Sequence, residues 1–594
     1  MKPRLFVSTL LLLCIPTDSF ELFSQQSTPK PPAIRNVLFI MGDDHSADVL
    51  GCYGNKIVRT PNLDRLASQG TRFDRAYVNC PMCTPSRQSL ITGKLPHAVG
   101  VTVLQTPLAE NQFTIAEHLK GLGFATGAVG KMHFNSDLKH GFDYRFDKPD
   151  HQKYLQEHPA KPLPEGTKVK PVWRPFKDPA RIWLNADGLP VGLRDADSEG
   201  TYFSNKAIEF LRSNKDNRFC LWVSYNQPHS PFDFPVEYAG KYDAAEMPLP
   251  QTSAEDVLWI PAIFRDLTDA DKRGIVAAYY SAVEYHDKNV GLVLDELKRL
   301  GLEESTLVVY VGDHGYLLGH HGRFEKHSMW EPAVRAPLIV RRGTGGGQVK
   351  TSEALVEFVD LVPTILEELK VSGMTGLQGK SFGPVIDGKT RRHRDSVFSE
   401  YLVDNRVMLR TADWKYVFTT GKADLGLGYA TGNPPPGITH GLYDLKGDPG
   451  ETRNLAKDPK HKAKLQELQQ ALLRRFKETH PLAKDLPAGA SIEEALVWFC
   501  EPPESRLKVG AAVLQQPLHH SNAIIAARAS AGARAGDTST NRSETATSHV
   551  ANIGSPRPSV GEGVRGKLQW SDAHANLLMS PCLAIQPPCF VPFV

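Results

Sequence analysis

The sequence predicts an α/β fold: a large, mostly parallel sheet flanked by helices, with a smaller C-terminal α+β domain after it. Three observations lead there. Apolar runs at 36–41 (N-V-L-F-I-M), 219–225 and 306–311 (T-L-V-V-Y-V) lack polar alternation and read as strands buried on both faces. Each run ends in a polar cluster: Gly42-Asp43-Asp44-His45, Asn226-Gln227-Pro228-His229 and Gly312-Asp313-His314-Gly315. Helical spacing separates the runs, and after about residue 389 the elements shorten into a strand-rich texture.

In chain order, Pro61 opens a short amphipathic helix that Gly70 closes, and 72–78 returns as a strand. Pro85 suits a first helical turn and Gly93 a stop, so Cys83 sits near a helix N-terminus. A helix at 114–122 leads to a strand at 124–129, which ends at Gly130-Lys131-Met132-His133. Residues 148–200, rich in proline and charge, are expected to be an irregular functional loop or insertion. Helices follow at 202–211 and 271–300, the second with a core stripe of Val276, Val283, Val290, Leu294 and Leu297. A strand at 337–340 and a helix at 358–369 complete the main domain. Strands at 396–401, 407–411 and 414–418 and a helix at 459–480 make the smaller one. The expected boundaries are a signal peptide and linker at 1–30, a catalytic domain at 34–388 and the smaller domain at 389–502. Residues 503–594, without sustained periodicity, are expected to be a disordered tail.

Composition removes several function classes. A net charge of +3 over 594 residues is too small to argue for nucleic-acid binding. The eight cysteines follow no scaffold spacing; Cys80 and Cys83 form the nearest approach to a metal or redox pair and leave a dithiol open. Lys2 and Arg4 before an apolar core at 5–15 read as an export signal, because that core is too short to span a bilayer. Leu13 is too large for the position before a lipid-bearing Cys14, which argues against a lipoprotein. No later stretch reaches transmembrane length. A secreted or periplasmic enzyme without a transmembrane anchor is expected.

Asp43 and Asp44, just past a strand, can both turn toward one cation; a solvated or capping turn is the plain alternative. Cys83 can be a nucleophile, a metal ligand, a substrate for modification or a small buried hydrophobe. With Lys131, His133, His229 and Asp313/His314 at neighbouring strand ends, the set fits a reaction in which a tetrahedral anion is bound and attacked.

These residues resemble the motifs of type I, formylglycine-dependent sulfatases of the alkaline-phosphatase-like superfamily. Cys83-Thr84-Pro85-Ser86-Arg87 with Leu90, Thr92 and Gly93 matches the signature C-x-P-S-R-x-x-L-x-T-G. N-V-L-F-I-M-G-D-D (36–44), G-C-Y-G-N (51–55), T-P-N-L-D-R-L-A (60–67), G-K-M-H (130–133) and V-V-Y-V-G-D-H-G (308–315) match in the same order, as do the late L-Y-D-L and D-P-G-E-T. Gly312-Asp313-His314 with Leu318-Gly319 and Pro228-His229 is similar to iduronate-2-sulfatase-like members. Lys131-Met132-His133-Phe134 with His140-Gly141-Phe142 is similar to choline-sulfatase-like ones.

The resemblance implies that a formylglycine-generating enzyme oxidises Cys83 to formylglycine, whose hydrate attacks sulfur. Asp43, Asp44, Asp313 and the modified Cys83 would hold one divalent cation, with His314 a ligand or direct neighbour; hard oxygen donors point to Ca²⁺, with Mg²⁺ as the alternative. Arg87 would hydrogen-bond the hydrate, and Lys131 and Lys326 would bind sulfate oxygens. His133 would take the proton when sulfate leaves, and His229, helped by Lys326, would protonate the leaving alcohol. His45, His320, His321 and His327 match no catalytic position. Export and the basic, aromatic insertion favour sulfated poly- or oligosaccharides as substrates. The rival readings are a choline-sulfatase, a phosphonate or phosphodiester hydrolase of the same superfamily, and a secreted binding protein with unmodified Cys83.

Overall fold

Strand β1 (Asn36–Gly42) is buried at every position and pairs with a strand on each side, which is why its sequence carries no polar alternation. The computed structural model describes residues 33–343, 349–421, 429–434 and 436–501. The chain continues through β2 (Thr71–Phe73), β3 (Ala76–Tyr77), β4 (Ala125–Gly130), β5 (Tyr144–Phe146), β6 (Phe219–Ser224), β7 (Thr306–Gly312), β8 (Leu338–Arg342) and β9 (Thr351–Ser352). All of these except β3 form one sheet, in the order β5-β4-β6-β1-β7-β8-β2-β9. Its pairings are parallel apart from those that β8 makes with β7 and β2.

Side chains alternate across the sheet into two cores. Val37, Phe39 and Met41 face one that includes Leu90 and Ile91 of the nucleophile-bearing helix, whereas Leu38 and Ile40 face helices Glu199–Ser213 and Asp269–Arg299. Burying each such apolar side chain contributes about 1.5–3 kcal/mol.

Two expectations need correcting. The single strand foreseen at 72–78 is broken into β2 and β3, which lie in different sheets, β3 pairing with β10 (Val356–Glu357). The chain changes partner there: Asp74 N–H donates to Ser352 O, and the Arg75 carbonyl accepts from Val356 N–H. The stretch 148–200 is not wholly irregular either. It opens with helix Lys148–Glu157, started by a capping box between Asp147 and Asp150 with proline in its first turn.

The C-terminal part is an antiparallel sheet of β11 (Ser396–Tyr401), β12 (Arg406–Thr411), β13 (Trp414–Thr419) and β14 (Thr439–Asp444) in that order. Helices Lys462–Thr479 and Ile492–Phe499 contribute to its core, which also takes in Leu95 and Val359 from the main domain. All described residues belong to one compact unit. The expected signal peptide and the tail 503–594 lie outside them. No helix among the described residues is long and apolar enough to cross a membrane.

Candidate active site

Strand register brings the polar clusters into one row. Gly42 pairs with Gly312, and Met41 and Gly130 both pair with Ser224, so the residues following β1, β4, β6 and β7 leave the sheet at one edge. The backbone extends the pairing by a step: Asp313 N–H donates to Gly42 O (2.9 Å), Asp43 N–H to Gln227 O (3.1 Å) and Lys131 N–H to Ser224 O (2.9 Å). Open α/β sheets place ligands at this edge.

After α1 (Pro61–Gln69), helix α2 (Cys83–Thr92) delivers Cys83 as its first residue to the same place, and Gly93 stops it at φ 65°. The Cys83 sulfur lies 3.4 Å from Asp43 Oδ1, 3.3 Å from His314 Nε2 and 3.8 Å from Lys131 Nζ. Single ligand-type atoms of Asp43, Asp44, Cys83 and His314 all fall within 4.8 Å of one another, and all four residues are buried. Asp44 adopts φ 63°, and its N–H donates to Asp313 Oδ1 (2.9 Å); this left-handed turn lets two adjacent carboxylates serve one cluster. Asp313 borders the cluster. Its Oδ1 also accepts from His314 N–H (3.0 Å), and its Oδ2 from Arg87 Nε (2.8 Å).

Cations enclose the acids. Lys131 Nζ donates to Asp43 Oδ2, and Arg87 reaches Asp43 Oδ1 (3.4 Å) and Ser224 Oγ (2.6 Å). Lys326 Nζ spans both oxygens of Asp44 (2.8 and 2.9 Å) and lies 3.0 Å from His229 Nε2. Burial alone would raise the carboxyls of Asp43 and Asp44; Lys131 for the first, and His229 with Lys326 for the second, hold them below the usual range. Burial would likewise lower the two lysines, but Asp43 pushes Lys131 up and Asp44 pushes Lys326 up, so both stay charged. Burial pushes Asp313 up against the pull of Arg87.

Burial, reinforced by Asp43, also pushes the Cys83 thiol up, so at neutral pH it is a protonated thiol and a poor nucleophile. No disulfide joins Cys80 and Cys83. Burial lowers His229 to about 4 against the pull of Asp44, leaving it neutral. Its Nδ1 faces Ser230 O at 2.6 Å, so Nδ1 carries the hydrogen and Nε2 accepts from Lys326. His133 lies against α2, with Nδ1 3.3 Å from Thr84 Oγ1.

Other histidines stay apart from the cluster. His45 bonds Tyr310, His321 pairs with Asp256 (2.7 Å), and His327 stacks on Tyr401. Ser224, Thr84 and Gln88 touch site residues without having been foreseen. For Ser224 the usable signal was its place as the polar residue near the end of an apolar run, in line with the other strand ends.

The profile described as Sulfatase matches residues 35–371, more than half of the chain. The chain belongs to the sulfatase family. A second profile, N-sulphoglucosamine sulphohydrolase, C-terminal, matches residues 319–478. The N-acetylglucosamine-6-O-sulfatase of Bacteroides thetaiotaomicron is 27% identical, over 80% of this chain and 93% of its own length. Human (Homo sapiens) iduronate 2-sulfatase is 32% identical, over 51% of this chain and 59% of its own. Among solved structures, the phosphonate monoester hydrolase of Agrobacterium radiobacter superposes with a TM-score of 0.64 at 21% identity, covering 76% of this chain and 97% of that one. A structure solved in complex with its substrate D-glucosamine-2-N,6-O-disulfate superposes with a TM-score of 0.59 at 23% identity, covering 76% and 98%. These likenesses carry the fold. This sulfatase is a sulfuric ester hydrolase, with a buried acid–thiol–imidazole cluster at the carboxyl edge of its sheet.

Proposed function

We propose that this sulfatase removes sulfate from sulfated poly- or oligosaccharides, using a formylglycine made from Cys83 and one divalent cation. The observation that carries the reading is the meeting of Cys83, Asp43, Asp44 and His314 within 4.8 Å, between two charged lysines. The donor set fits a hard cation: buried carboxylates made acidic by their surroundings, with one imidazole, are suited to Ca²⁺ and also admit Mg²⁺. Asp43, Asp44, His314 and residue 83 would hold it, with Asp313 bound at the border. The raised thiol supports modification of position 83, because an unmodified thiol there has little thiolate to react. Once bound and formed, the cation and the hydrated aldehyde supply a Lewis acid and an oxygen nucleophile.

The chain's own residues account for the rest. Lys131 and Lys326 neutralise and orient the ester's anionic oxygens, and Arg87, tied to Asp313 and Ser224, keeps position 83 in place. The leaving oxygen takes a proton at the Lys326–His229 pair: Lys326 carries the proton, and the neutral His229, its Nδ1–H held by Ser230 O, orients that ammonium through Nε2. His133 accepts a proton as sulfate departs. The saccharide class is supported by the N-acetylglucosamine-6-O-sulfatase relative and by the 148–200 insertion, whose Lys170 pairs with Asp233 four residues beyond His229. An export leader at 1–30 and boundaries at 34–388 and 389–502 complete the proposal.

The test is mass spectrometry of the Cys83 peptide in protein from its native host. It is coupled to turnover of 6-O-sulfated N-acetylglucosamine, choline sulfate and a phosphonate monoester. A mass shift from thiol to aldehyde, with kcat/KM highest on the sulfated sugar, is expected. An intact thiol in the native protein, or preference for the phosphorus ester, overturns the reading.

A further inference from the structure

Helix α2 does more than present residue 83. Thr84 and Gln88 stand four residues apart on it, hence on one face, and both are fully buried against His133. Thr84 Oγ1 lies 3.3 Å from His133 Nδ1. The Gln88 side-chain amide donates to the carbonyl of His133 and, at 3.4 Å, to that of Met132. His133 needs such a clamp because it sits at φ 54°, a left-handed conformation that is costly for a residue with a Cβ.

The Thr84 hydroxyl can donate or accept, so its neighbours decide the tautomer. Among the described residues His133 Nε2 has no hydrogen-bond partner, and the charges acting on the ring are led by the cations Lys131 and Arg87, with Asp43 opposing them more weakly. A lone pair on Nε2 is favoured beside cations, and an N–H there is not. That balance favours the hydrogen on Nδ1, donated to Thr84.

We infer that Thr84 and Gln88 are positioning residues which hold His133 as its Nδ1–H tautomer, so that Nε2 is the atom accepting a proton from the residue-83 side of the cleft. The nucleophile and its proton acceptor are thereby fixed to one helix, and their separation does not depend on the loop after β4. In assigning His133 a proton to accept, this rests on the function proposed above.

The test has two readouts. The first is the rate at which diethyl pyrocarbonate modifies His133, followed by peptide mass spectrometry on protein whose Cys83 is still a thiol. The second is kcat and KM of the mature enzyme. Thr84→Val is expected to slow modification of His133 several-fold and to lower kcat about tenfold at unchanged KM, the size usual for losing an orienting partner. Thr84→Ser, which keeps the hydroxyl, should restore both, and Gln88→Leu should lower kcat through the backbone clamp. Equal modification rates in wild type and Thr84→Val refute the inference, as does a Thr84→Ser variant that melts like wild type but stays impaired. The modification readout needs no sulfate ester, so an inactive wild type counts against the proposed function alone, and the thiol-form rates still decide the tautomer.

Discussion

Lys415 has a fully buried side chain on β13; its ammonium group donates to Glu451 Oε1 (2.6 Å) and the Met329 carbonyl (2.8 Å) and forms an ion pair with Glu331 Oε1 (2.9 Å). Glu451 in turn accepts from the Glu331 N–H at 2.6 Å. Lys415→Met keeps the stem and deletes the charge, leaving two carboxylates facing each other, with Arg410 at 3.5 Å and the Tyr77 hydroxyl at 2.7 Å still beside Glu331. Removing one member of a buried ion pair costs about 3–5 kcal/mol, and that loss is expected at pH 7. The pH dependence follows from the carboxyls. Burial would raise Glu331, but Lys415 and Arg410 bring it to about 2, below its unfolded value. Its pairing therefore stabilises the fold above about pH 4.3 and fades as pH falls toward 2. In the variant both carboxyls lose that cation and protonate at higher pH, so the stability gap to wild type narrows between pH 7 and pH 5. Urea or thermal melts at the two pH values measure it, and Lys415→Met/Glu451→Gln should recover part of the loss. A deficit under about 1 kcal/mol at pH 7, or a gap that widens on acidification, would refute the reasoning. Met329 follows Lys326 by three residues, so the variant should also lose turnover.

Cys83→Ala should abolish turnover while shifting the melting curve little, since only a small thiol is lost from a packed site; retained activity would contradict the nucleophile assignment. Chelation should inactivate the enzyme and Ca²⁺ should restore it, whereas a strict requirement for Zn²⁺ would speak against the oxygen-rich ligand set. Gly130→Ala places a Cβ 1.9 Å from Ser224 O at φ 88°. Strain of about 1–3 kcal/mol there should displace Lys131 and raise KM for the anionic ester, and a variant with wild-type kinetics would show that the β4 end is not what sets the lysine.

The central strands were legible because a strand buried on both faces loses its polar alternation, and the clusters after β1, β6 and β7 were legible because polarity returns abruptly. β14 was missed for the opposite reason: T-H-G-L-Y-D is partly exposed and carries a glycine, so its pattern is weak. Helix Ile492–Phe499 is a short element whose Ser491–Glu494 capping box was the available signal. Gathering Asp43, Asp44, Cys83 and His314 could be anticipated from strand ends and a helix start. The contacts of Ser224 with Arg87 and of Thr84 with His133 could not. The first depends on a cross-strand register and the second on which face of α2 meets the β4 loop, and neither leaves a local trace in the chain.

Charge explains what this edge of the sheet is built to receive. Asp43, Asp44 and Asp313 are matched by Lys131, Lys326 and Arg87, so the cluster is close to balanced before any cation arrives. A dication added to a balanced, buried cluster leaves positive charge that water is too scarce to screen, and an anionic ester supplies the compensation. A sulfate monoester and a phosphonate monoester each bring one negative charge near neutral pH. On the proposed function, net charge alone would then not separate the two esters at the metal side of the pocket. Selection between them falls to groups that meet the leaving alcohol and the fourth substituent. On the proposed function those groups would be His229, Lys326 and the insertion anchored by the Lys170–Asp233 pair. Exchanges in that insertion should then alter which sulfated alcohol is cleaved and leave the cation requirement untouched.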